Sequence, residues 1–225
     1  MVKYICGKNS LLDAIKNNVP IKKIYLTKIV PNLNLNTYQV HIVEKSFLDK
    51  LAKGINHQGF VAEIENVKYF PVESIFKDNP KRILVLDHIQ DNHNLGAIIR
   101  SANAAGIKHI ILPKDNCAKI NDSVIRISSG GFVGIKFILV NSLLATFEKL
   151  KKHNFWIYAS ALSKTAKPLD QIVFNQPSAI VLGSEAKGIS KSLLNQSDEI
   201  FYIPMQGTVQ SLNVSVAAGI ILFKN

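Results

Sequence analysis

Short apolar runs after Lys81 restrict most strongly the folds that this chain can adopt. Several of the runs are continuous rather than alternating, which is typical of strands buried on both faces of a parallel sheet. Segments with helical periodicity fill the intervals, so the sequence predicts an α/β fold with a largely parallel sheet. The strands are predicted at Ile83–Leu86, His109–Leu112, Phe137–Val140, Phe155–Ala159, Ala179–Leu182 and Ile200–Ile203, and the helices at Leu95–Ala105, Ser142–His153 and Leu212–Phe223.

The first part of the chain has a different pattern, typical of a small α/β unit. Apolar residues recur at helical spacing within Gly7–Asn17. Two prolines, several charges and the lack of a clear period indicate a linker at Tyr69–Lys81. The sequence therefore predicts a domain over residues 1–68, a linker over 69–81 and a second domain over 82–225. Within the first domain, strands are predicted at Ile21–Leu26, Val40–Val43 and Phe60–Val67, and a second helix at Ser46–Lys53.

The charge of the chain points to a polyanionic partner. Lys and Arg number 27 against 16 Asp and Glu, a formal net charge of +11, and the lysines are scattered along the sequence. Such a balance predicts binding to nucleic acid. Only Arg82, Arg100 and Arg126 are arginines. Each is therefore expected where a planar guanidinium is needed or in a structural ion pair.

Cysteine usage and hydropathy predict the cellular compartment. Cys6 and Cys117 lie far apart without CxxC spacing, which suggests neither a disulfide framework nor a zinc site. No apolar run approaches the roughly 20 residues of a membrane span, and the first residues lack the apolar core of a secretory signal. We therefore expect a cytoplasmic protein that does not cross a membrane.

Three segments that follow predicted strands carry unusual polar and glycine-rich patterns. Ligands of open α/β sheets bind beyond the carboxyl ends of the strands, so these segments are candidate binding loops. The first segment, Leu86–Gly106, contains Asn94 as a candidate helix cap and Arg100 on the opening turns of the helix. Taken alone, this pattern indicates a capped helix with a solvated arginine.

The second and third segments are built on glycines and small residues. In Ile180–Ser190, Glu185 lies between a glycine that directly follows the predicted strand and a second glycine, Gly188. The spacing is neither GxxxxGKS/T nor GxGxxG, so it predicts no nucleoside triphosphate or dinucleotide. In Ile203–Ile220, the residues Ser211–Asn213 open a helix rich in small residues. Such helices usually pack closely against another element.

In this order the three segments resemble the SpoU (TrmH-like) family of RNA ribose 2′-O-methyltransferases, within the SPOUT superfamily. The likeness extends over Arg82–Phe223. A small substrate-binding domain related to a ribosomal-protein fold often precedes the catalytic domain in this family. Two segments of this chain are similar to that domain, GKNSLLDAIK near the start and HQGF at His57–Phe60. Ala186 stands where many relatives have glycine, and we expect it to narrow the backbone freedom of the turn. The family patterns N-x-G-x-x-x-R, L-G-x-E-x-x-G and S-L-N-V-S-x-A are matched by Asn94, Gly96 and Arg100, by Leu182, Gly183, Glu185 and Gly188, and by Ser211–Ala217.

The resemblance implies a knotted fold, a cofactor and an assembly. The last strands and the final helix would thread into a deep trefoil knot, an exception among proteins. Two copies would pack knot against knot as a homodimer through the helix from Ser211 to Phe223, where Ala217, Ala218 and Gly219 offer a close-packing surface. S-adenosylmethionine would bind in the knot as the methyl donor, with no metal. The positions that match the donor contacts are Gly183, Ile203 and Leu212, with Leu182, Met205 and Ser211 nearby.

The resemblance also implies the reaction, which is methylation of a ribose 2′-hydroxyl in RNA. The family assigns activation of the hydroxyl to the arginine matched by Arg100, but a charged guanidinium has no acceptor lone pair. We therefore expect Arg100 to bind the target phosphate and to stabilise the developing alkoxide. Asn94 would orient Arg100 or the ribose, and Glu185 would hold the loop or the arginine. Asn213 would fix the hydroxyl, with Ser211 as a further catalytic candidate.

Several alternatives remain for the substrate and the activity. Two-domain relatives suggest a guanosine of large-subunit ribosomal RNA as the substrate. Transfer RNA and a drug-resistance methylation are the less favoured alternatives. A knotted methyltransferase acting on a base nitrogen is disfavoured, because the pairing of Asn94 with Arg100 belongs to the ribose-modifying group. The non-enzymatic alternative is an RNA-binding factor that kept the fold and lost catalysis. The intact candidate residues argue against it.

Overall fold

The computed structural model of the chain describes residues 3–31, 33–185 and 187–224. Ala186, the departure from the family pattern, lies outside these residues. The described residues form two compact units, one from residues 3–67 and 119–134 and the other from 68–118 and 135–224. Both units combine helices with strands, so the predicted α/β class is confirmed. No helix among the described residues has the length and apolar character needed to cross a membrane.

Strands and helices alternate along most of the chain. The strands are β1 (Lys3–Cys6), β2 (Ile21–Leu26), β3 (Val40–Ile42), β4 (Phe60–Ile64), β5 (Arg82–Asp87), β6 (His109–Pro113), β7 (Lys136–Val140), β8 (Trp156–Ser160), β9 (Lys167–Pro168), β10 (Ser178–Gly183) and β11 (Glu199–Tyr202). The helices are α1 (Lys8–Lys16), α2 (Lys45–Ala52), α3 (Glu73–Asp78), α4 (Asn92–Ala104), α5 (Asp122–Ser128), α6 (Leu143–Lys152), α7 (Lys191–Gln196) and α8 (Val214–Leu222), with a short 3-10 turn at Leu169–Gln171. Each strand predicted after Lys81 is present, with bounds that differ by at most one residue.

Unit 1, residues 3–67 with 119–134, is built on a four-stranded sheet in the order β1-β4-β2-β3. β4 is antiparallel to β1 and β2, whereas β3 runs parallel to β2 at the edge of the sheet. Leu48 and Ala52 of α2 are buried in a cluster with Cys6 and Val61 of the sheet. All residues of β3 are exposed.

The segment 119–134, which the sequence places in the second domain, packs as part of unit 1. The backbone N–H of Tyr4 in β1 donates to the Asp122 carboxylate at 3.1 Å. Gly130, at a φ of +86°, lies so close to α1 that an added Cβ would be 3.2 Å from the Cα of Ser10. The predicted boundary missed this packing because it assigned each domain one continuous stretch of sequence. The chain leaves unit 2 after β6, contributes residues 119–134 to unit 1, and returns to unit 2 before β7.

Unit 2, residues 68–118 with 135–224, is built on a seven-stranded sheet in the order β7-β6-β5-β10-β8-β11-β9. Its paired strands are parallel, as the continuous apolar runs predict. The predicted linker is a folded part of this unit, because α3 buries Ile75 and the N–H of Phe70 donates to the Phe137 carbonyl at 2.8 Å. β10 lies between β5 and β8, which makes the carboxyl ends of β8, β10 and β11 neighbours.

Both ends of α8 are fixed within unit 2. Asn213 caps the start of the helix. At the end, the Arg82 guanidinium donates to the carbonyls of Leu222 and Lys224, each at 3.4 Å. The Lys224 ammonium donates in turn to carbonyl groups in and just after the 3-10 turn. Arg82 therefore has a structural role, and α8 is held in one position against the sheet.

Removal of residues 1–67 is expected to unfold the segment 119–134, because this segment packs on β1 and α1. Trypsin should then cleave after Arg126, whose side chain is 11% exposed in the complete chain. The measurement is limited proteolysis read by mass spectrometry, with the full-length protein as the reference. A truncated chain in which Arg126 stays as resistant as in the full-length protein would show that the segment belongs to unit 2.

Candidate functional site

A cleft of about 650 Å³ opens at the carboxyl ends of β8, β10 and β11. This volume lies within the range of small-molecule and cofactor sites. Glu185 and Asn213 line the cleft, whereas Asn94 and Arg100 do not. The positions predicted to contact the methyl donor line it together: Leu182, Gly183, Ile203, Met205, Ser211 and Leu212.

Part of the cleft wall carries no motif that sequence reasoning could use. The wall after β8 consists of Ser160, Ala161 and Leu162, and it is ordinary loop sequence. Lys187 and Lys191 add exposed cations to the lining. The only signal for these residues is their position after strands that the apolar runs predict to be neighbours in a sheet.

Backbone packing explains why the turn after β10 begins with glycine. A Cβ on Gly183 would lie 2.2 Å from the carbonyl carbon of Gly188 and 2.4 Å from the nitrogen of Ile189. The Gly188 N–H donates to the Ser184 carbonyl at 2.8 Å, and Gly188 has a φ of +63°. The turn thus folds back onto Gly183, where a side chain has no space, and Gly183 remains part of the cleft wall.

A hydrogen-bond network joins three segments that are far apart in the sequence. The side-chain amide of Asn94 donates to Glu185 Oε1 at 2.7 Å. Asn213 Nδ2 donates to the same carboxylate oxygen at 2.7 Å and to Asn94 Oδ1 at 2.9 Å. These residues lie on the first turn of α4, after β10 and just before α8. The network therefore ties two helices to the turn after β10.

The network changes the roles that the sequence suggests for two of its members. Asn213 uses both amide hydrogens within the network, and its Oδ1 accepts from the N–H and hydroxyl of Ser215. It therefore positions α8 and is not free to fix a substrate hydroxyl. Glu185 holds amides rather than an arginine. Its Oε2 has no hydrogen-bond partner among the described residues, and the side chain is exposed at the cleft.

The start of α4 also differs from the prediction, because Asn94 is not the helix cap. Asp91 is the cap, and its carboxylate accepts from the Asn94 N–H at 2.8 Å. The helix therefore begins at Asn92, which places Asn94 inside the first turn. Its side chain is buried there and is directed into the network with Glu185.

Arg100 lies apart from the network. Arg100 lies six positions after Asn94, which on a helix of about 3.6 residues per turn places it roughly 120° around the axis of α4. Its side chain is exposed and forms no hydrogen bond or ion pair within the described part of the chain. Arg82 and Arg126, in contrast, are held by carbonyl groups and by a carboxylate. Arg100 is therefore the arginine available to an external anion.

Asp87 supports the loop beside the cleft, and the sequence patterns did not single it out. It ends β5, is 2% exposed, and accepts from the Ser190 N–H at 2.9 Å. Its other carboxylate oxygen pairs with Nδ1 of His88 at 2.5 Å. Asp87 thus anchors the loop that leads from the turn after β10 into α7. A carboxylate directly after a continuous apolar strand is the signal that could have identified it.

Comparison with known proteins matches this chain to one family. A family model described as SpoU rRNA Methylase family matches residues 81–223. A second model, described as RNA 2'-O ribose methyltransferase substrate binding, matches residues 4–70. A protein of Xylella fastidiosa named 23S rRNA (guanosine-2'-O-)-methyltransferase RlmB is 35% identical over 99% of this chain and 95% of its own length.

Solved structures share the fold. An AdoMet-bound rRNA methyltransferase from Sinorhizobium meliloti matches with a TM-score of 0.82 at 24% identity, over 99% of this chain and 85% of that chain. A TrmH/SpoU tRNA modifying enzyme of A. aeolicus matches with a TM-score of 0.58 at 30% identity, over 68% of this chain and 81% of that chain. The first match therefore spans both units of the fold.

The close approach at Gly183 predicts that Gly183→Ala disrupts the cleft. The new Cβ would overlap backbone atoms that cannot rotate away, so the change should destabilise the fold by about 1–3 kcal/mol and weaken binding of S-adenosylmethionine at least tenfold. Thermal unfolding and calorimetry on the same samples provide the measurement.

The matched control is Gly207→Ala, because a Cβ on Gly207 meets nothing within 4 Å. This variant should keep the stability and the donor affinity of the parent. Normal donor binding by Gly183→Ala would contradict the assignment of this turn to the donor site.

Proposed function

Because the chain belongs to the SpoU rRNA methylase family, we propose that it transfers a methyl group from S-adenosylmethionine to the ribose 2′-hydroxyl of a guanosine in large-subunit ribosomal RNA. The observation that carries this proposal is the convergence of the second and third family segments on one cleft. The first segment is tied to that cleft through Asn94 and Glu185. An RNA substrate also agrees with the net charge of +11. Because the proposed substrate is ribosomal RNA, the proposed site of the activity is the cytoplasm.

The residues of the cleft fit the proposed donor. Leu182, Ile203, Met205 and Leu212 supply the apolar surface that an adenine ring requires, and the turn at Gly183 brings backbone groups into the wall. When bound, S-adenosylmethionine supplies a methyl group on a positively charged sulfur. The Oε2 of Glu185 is opposite in charge to the sulfonium, and Lys187 and Lys191 of the same lining are opposite in charge to the carboxylate of the donor.

The family's trefoil knot is part of the proposal. The cleft walls come from the segments after β8, β10 and β11, which are the segments that would thread through one another. The insertion of β10 between β5 and β8 supports this arrangement, since the chain returns to the middle of the sheet after leaving it.

The chemical task of the protein side chains is to position the hydroxyl and to stabilise charge. A ribose hydroxyl is a weak nucleophile, so it must be held in line with the methyl group as its proton leaves. We assign binding of the target phosphate to Arg100, whose guanidinium is exposed and has no partner among the described residues. Its positive charge would stabilise the alkoxide that develops, and the proton would pass to a phosphate oxygen or to water.

Sequence identity favours ribosomal RNA over transfer RNA as the substrate. The relative named for 23S rRNA is 35% identical over 99% of this chain, whereas a Bacillus subtilis relative named for tRNA/rRNA is 28% identical over 98% of it, so transfer RNA stays the alternative. Residues 4–70, which match the substrate-binding model, account for much of unit 1. A substrate that needs a separate binding unit fits the relatives that have one.

The proposed activity is tested with radiolabelled donor and two RNA pools, ribosomal RNA from a strain that lacks the gene and total transfer RNA. Alkaline hydrolysis of the product distinguishes the activities, because a 2′-O-methyl group blocks strand cleavage at that ribose. We expect an alkali-resistant, labelled guanosine dinucleotide from the large-subunit RNA. Label in mononucleotides would indicate base methylation, and label in transfer RNA alone would overturn the substrate.

Replacement of Arg100 should reduce the rate of methyl transfer without affecting the donor site. Loss of a charged group aimed at developing negative charge costs about 100- to 1000-fold in rate. Arg100→Lys should also be slow, because a point charge cannot reproduce a bidentate guanidinium. Single-turnover methylation and donor calorimetry on the same samples provide the measurement.

The control for Arg100→Ala is Lys152→Ala, which removes one exposed cation from α6 and should leave the rate within about twofold. Two outcomes would refute the role of Arg100. One is near-normal turnover in Arg100→Ala, and the other is loss of donor binding in parallel with activity.

A homodimer is also part of the proposal, with its contact on α8. The sequence suggests Ala217, Ala218 and Gly219 as the contact surface, but Ala218 is buried within the chain and its neighbours are partly covered. The apolar residues left exposed by α8 and its C-cap, Phe223, are Val216, Ile220 and Phe223, at 51%, 43% and 59%. They recur at helical spacing and form one stripe. We assign the dimer contact to this stripe.

A charge in the stripe should separate the dimer. The variant Val216→Glu with Ile220→Glu would bury two carboxylates in an apolar contact, which is unfavourable unless they are paired. Sedimentation velocity at micromolar concentration should show a dimer for the parent and a monomer for the variant. The control is Val173→Glu, since Val173 is 81% exposed and lies outside α8. A monomeric parent would contradict the proposal.

A further inference from the structure

Unit 1 carries a cluster of aromatic rings at the exposed edge of its sheet. The rings of Tyr25 in β2 and His41 in β3 are stacked, with centroids 5.5 Å apart and planes inclined by 25°. The ring of Phe47, on the first turn of α2, lies 5.6 Å from that of Tyr25 at 51°. We call these three residues the ring cluster. It joins two neighbouring strands to the helix that packs beside them.

The fold of unit 1 accounts for only part of the ring cluster. Tyr25 contributes to the apolar cluster around Leu48 and Val61, so its ring has a packing role. His41 is exposed, and Phe47 is 42% exposed, so neither ring is needed to fill the core. Edge strands in soluble proteins are usually protected by charges, bulges or proline rather than by open aromatic surface. The exposed rings therefore require another explanation.

Charge around the ring cluster indicates the chemistry of its occupant. Lys23 lies two residues before Tyr25 on the same face of β2, and Lys45 begins α2 two residues before Phe47, both with exposed side chains. Two carboxylates accompany these lysines, because Glu63 is opposite Lys23 on β4 and Glu44 directly precedes Lys45. Aromatic rings on a sheet, flanked by cations, are the arrangement on which unpaired bases stack while lysines meet the phosphates. The family model described as RNA 2'-O ribose methyltransferase substrate binding covers residues 4–70, which include all three rings, and this match favours RNA over a protein as the occupant.

We propose that the ring cluster of Tyr25, His41 and Phe47 is a stacking surface for unpaired nucleotides of the RNA substrate. This inference rests on the proposed function and deepens it, because it names the part of unit 1 that holds RNA and the form of RNA that it holds. Bases stack on His41 and Phe47, Tyr25 contacts both of these rings, and the neighbouring lysines neutralise the phosphates. Duplex RNA, whose bases are already stacked, has no use for this surface.

The test uses the full-length protein and two fluorescein-labelled probes, a 12-nucleotide oligouridylate and a blunt 12-base-pair RNA duplex. His41→Ala and Phe47→Ala should each bind the single strand about 5- to 150-fold more weakly, the range expected for loss of one stacked base. Duplex binding should change less than twofold. His41→Tyr should restore single-strand binding, because it returns a flat ring without the imidazole.

Ile42→Ala is the matched control, since Ile42 is the next residue of the same edge strand, is 51% exposed, and points to the opposite face. It should bind both probes as the parent does. Unchanged single-strand binding in His41→Ala and Phe47→Ala would overturn the proposal, and it is the result expected of a surface that docks a protein. Equal losses in Ile42→Ala, or equal losses on the duplex, would also overturn it.

Donor calorimetry and methylation of ribosomal RNA by the parent protein separate this inference from the proposed function. A parent that methylates ribosomal RNA, together with variants that bind the single strand normally, refutes the stacking surface alone. A parent that binds the single strand through the rings but transfers no methyl group refutes the proposed function alone.

Discussion

The geometry of the cleft depends on one acceptor, the Oε1 oxygen of Glu185. It accepts amide hydrogens from Asn94 and Asn213 and so connects the starts of α4 and α8 to the turn after β10. Hydrogen bonds to a charged group contribute roughly 1.5–3 kcal/mol each, more than those between neutral groups. Asn94 is 8% exposed, so without the carboxylate it would keep a buried donor that lacks its acceptor. The same side chain that holds the segments together also leaves Oε2 at the cleft.

The sequence predicts the second half of the fold well because its central strands β5, β6 and β10 are buried on both faces. A short, continuous apolar run that helical segments separate from the next run is typical of a strand buried on both faces of a sheet. The elements that the sequence missed lack such a signal. α3 lies in a proline-containing stretch that resembles a linker, and β9 is two residues long. The packing of α5 with unit 1 depends on contacts with β1 that are more than a hundred residues away along the chain.

At the candidate site, the sequence predicts which residues take part but not how their side chains are arranged. The family patterns identify Asn94, Glu185 and Asn213, and the structure brings these three together. Their roles could not be assigned from the patterns, because a role depends on which hydrogen-bonding atoms remain free. Asn213 has none left, whereas Glu185 keeps one oxygen. The helix start shows the same limit, since Asp91 and Asn94 are both good caps and only the fold decides between them.

α8 shows how several requirements act on one short helix. It is apolar around its whole circumference, which a surface helix of a monomer cannot sustain without exposing apolar area to water. One side buries Ala218, Ile221 and Leu222 inside unit 2, and Val214 and Ala217 line the cleft. Because its start is fixed by Asn213 and its end by Arg82, the helix cannot turn to hide the remaining stripe. The proposed dimer contact and the shape of the cleft therefore follow from the same two anchors.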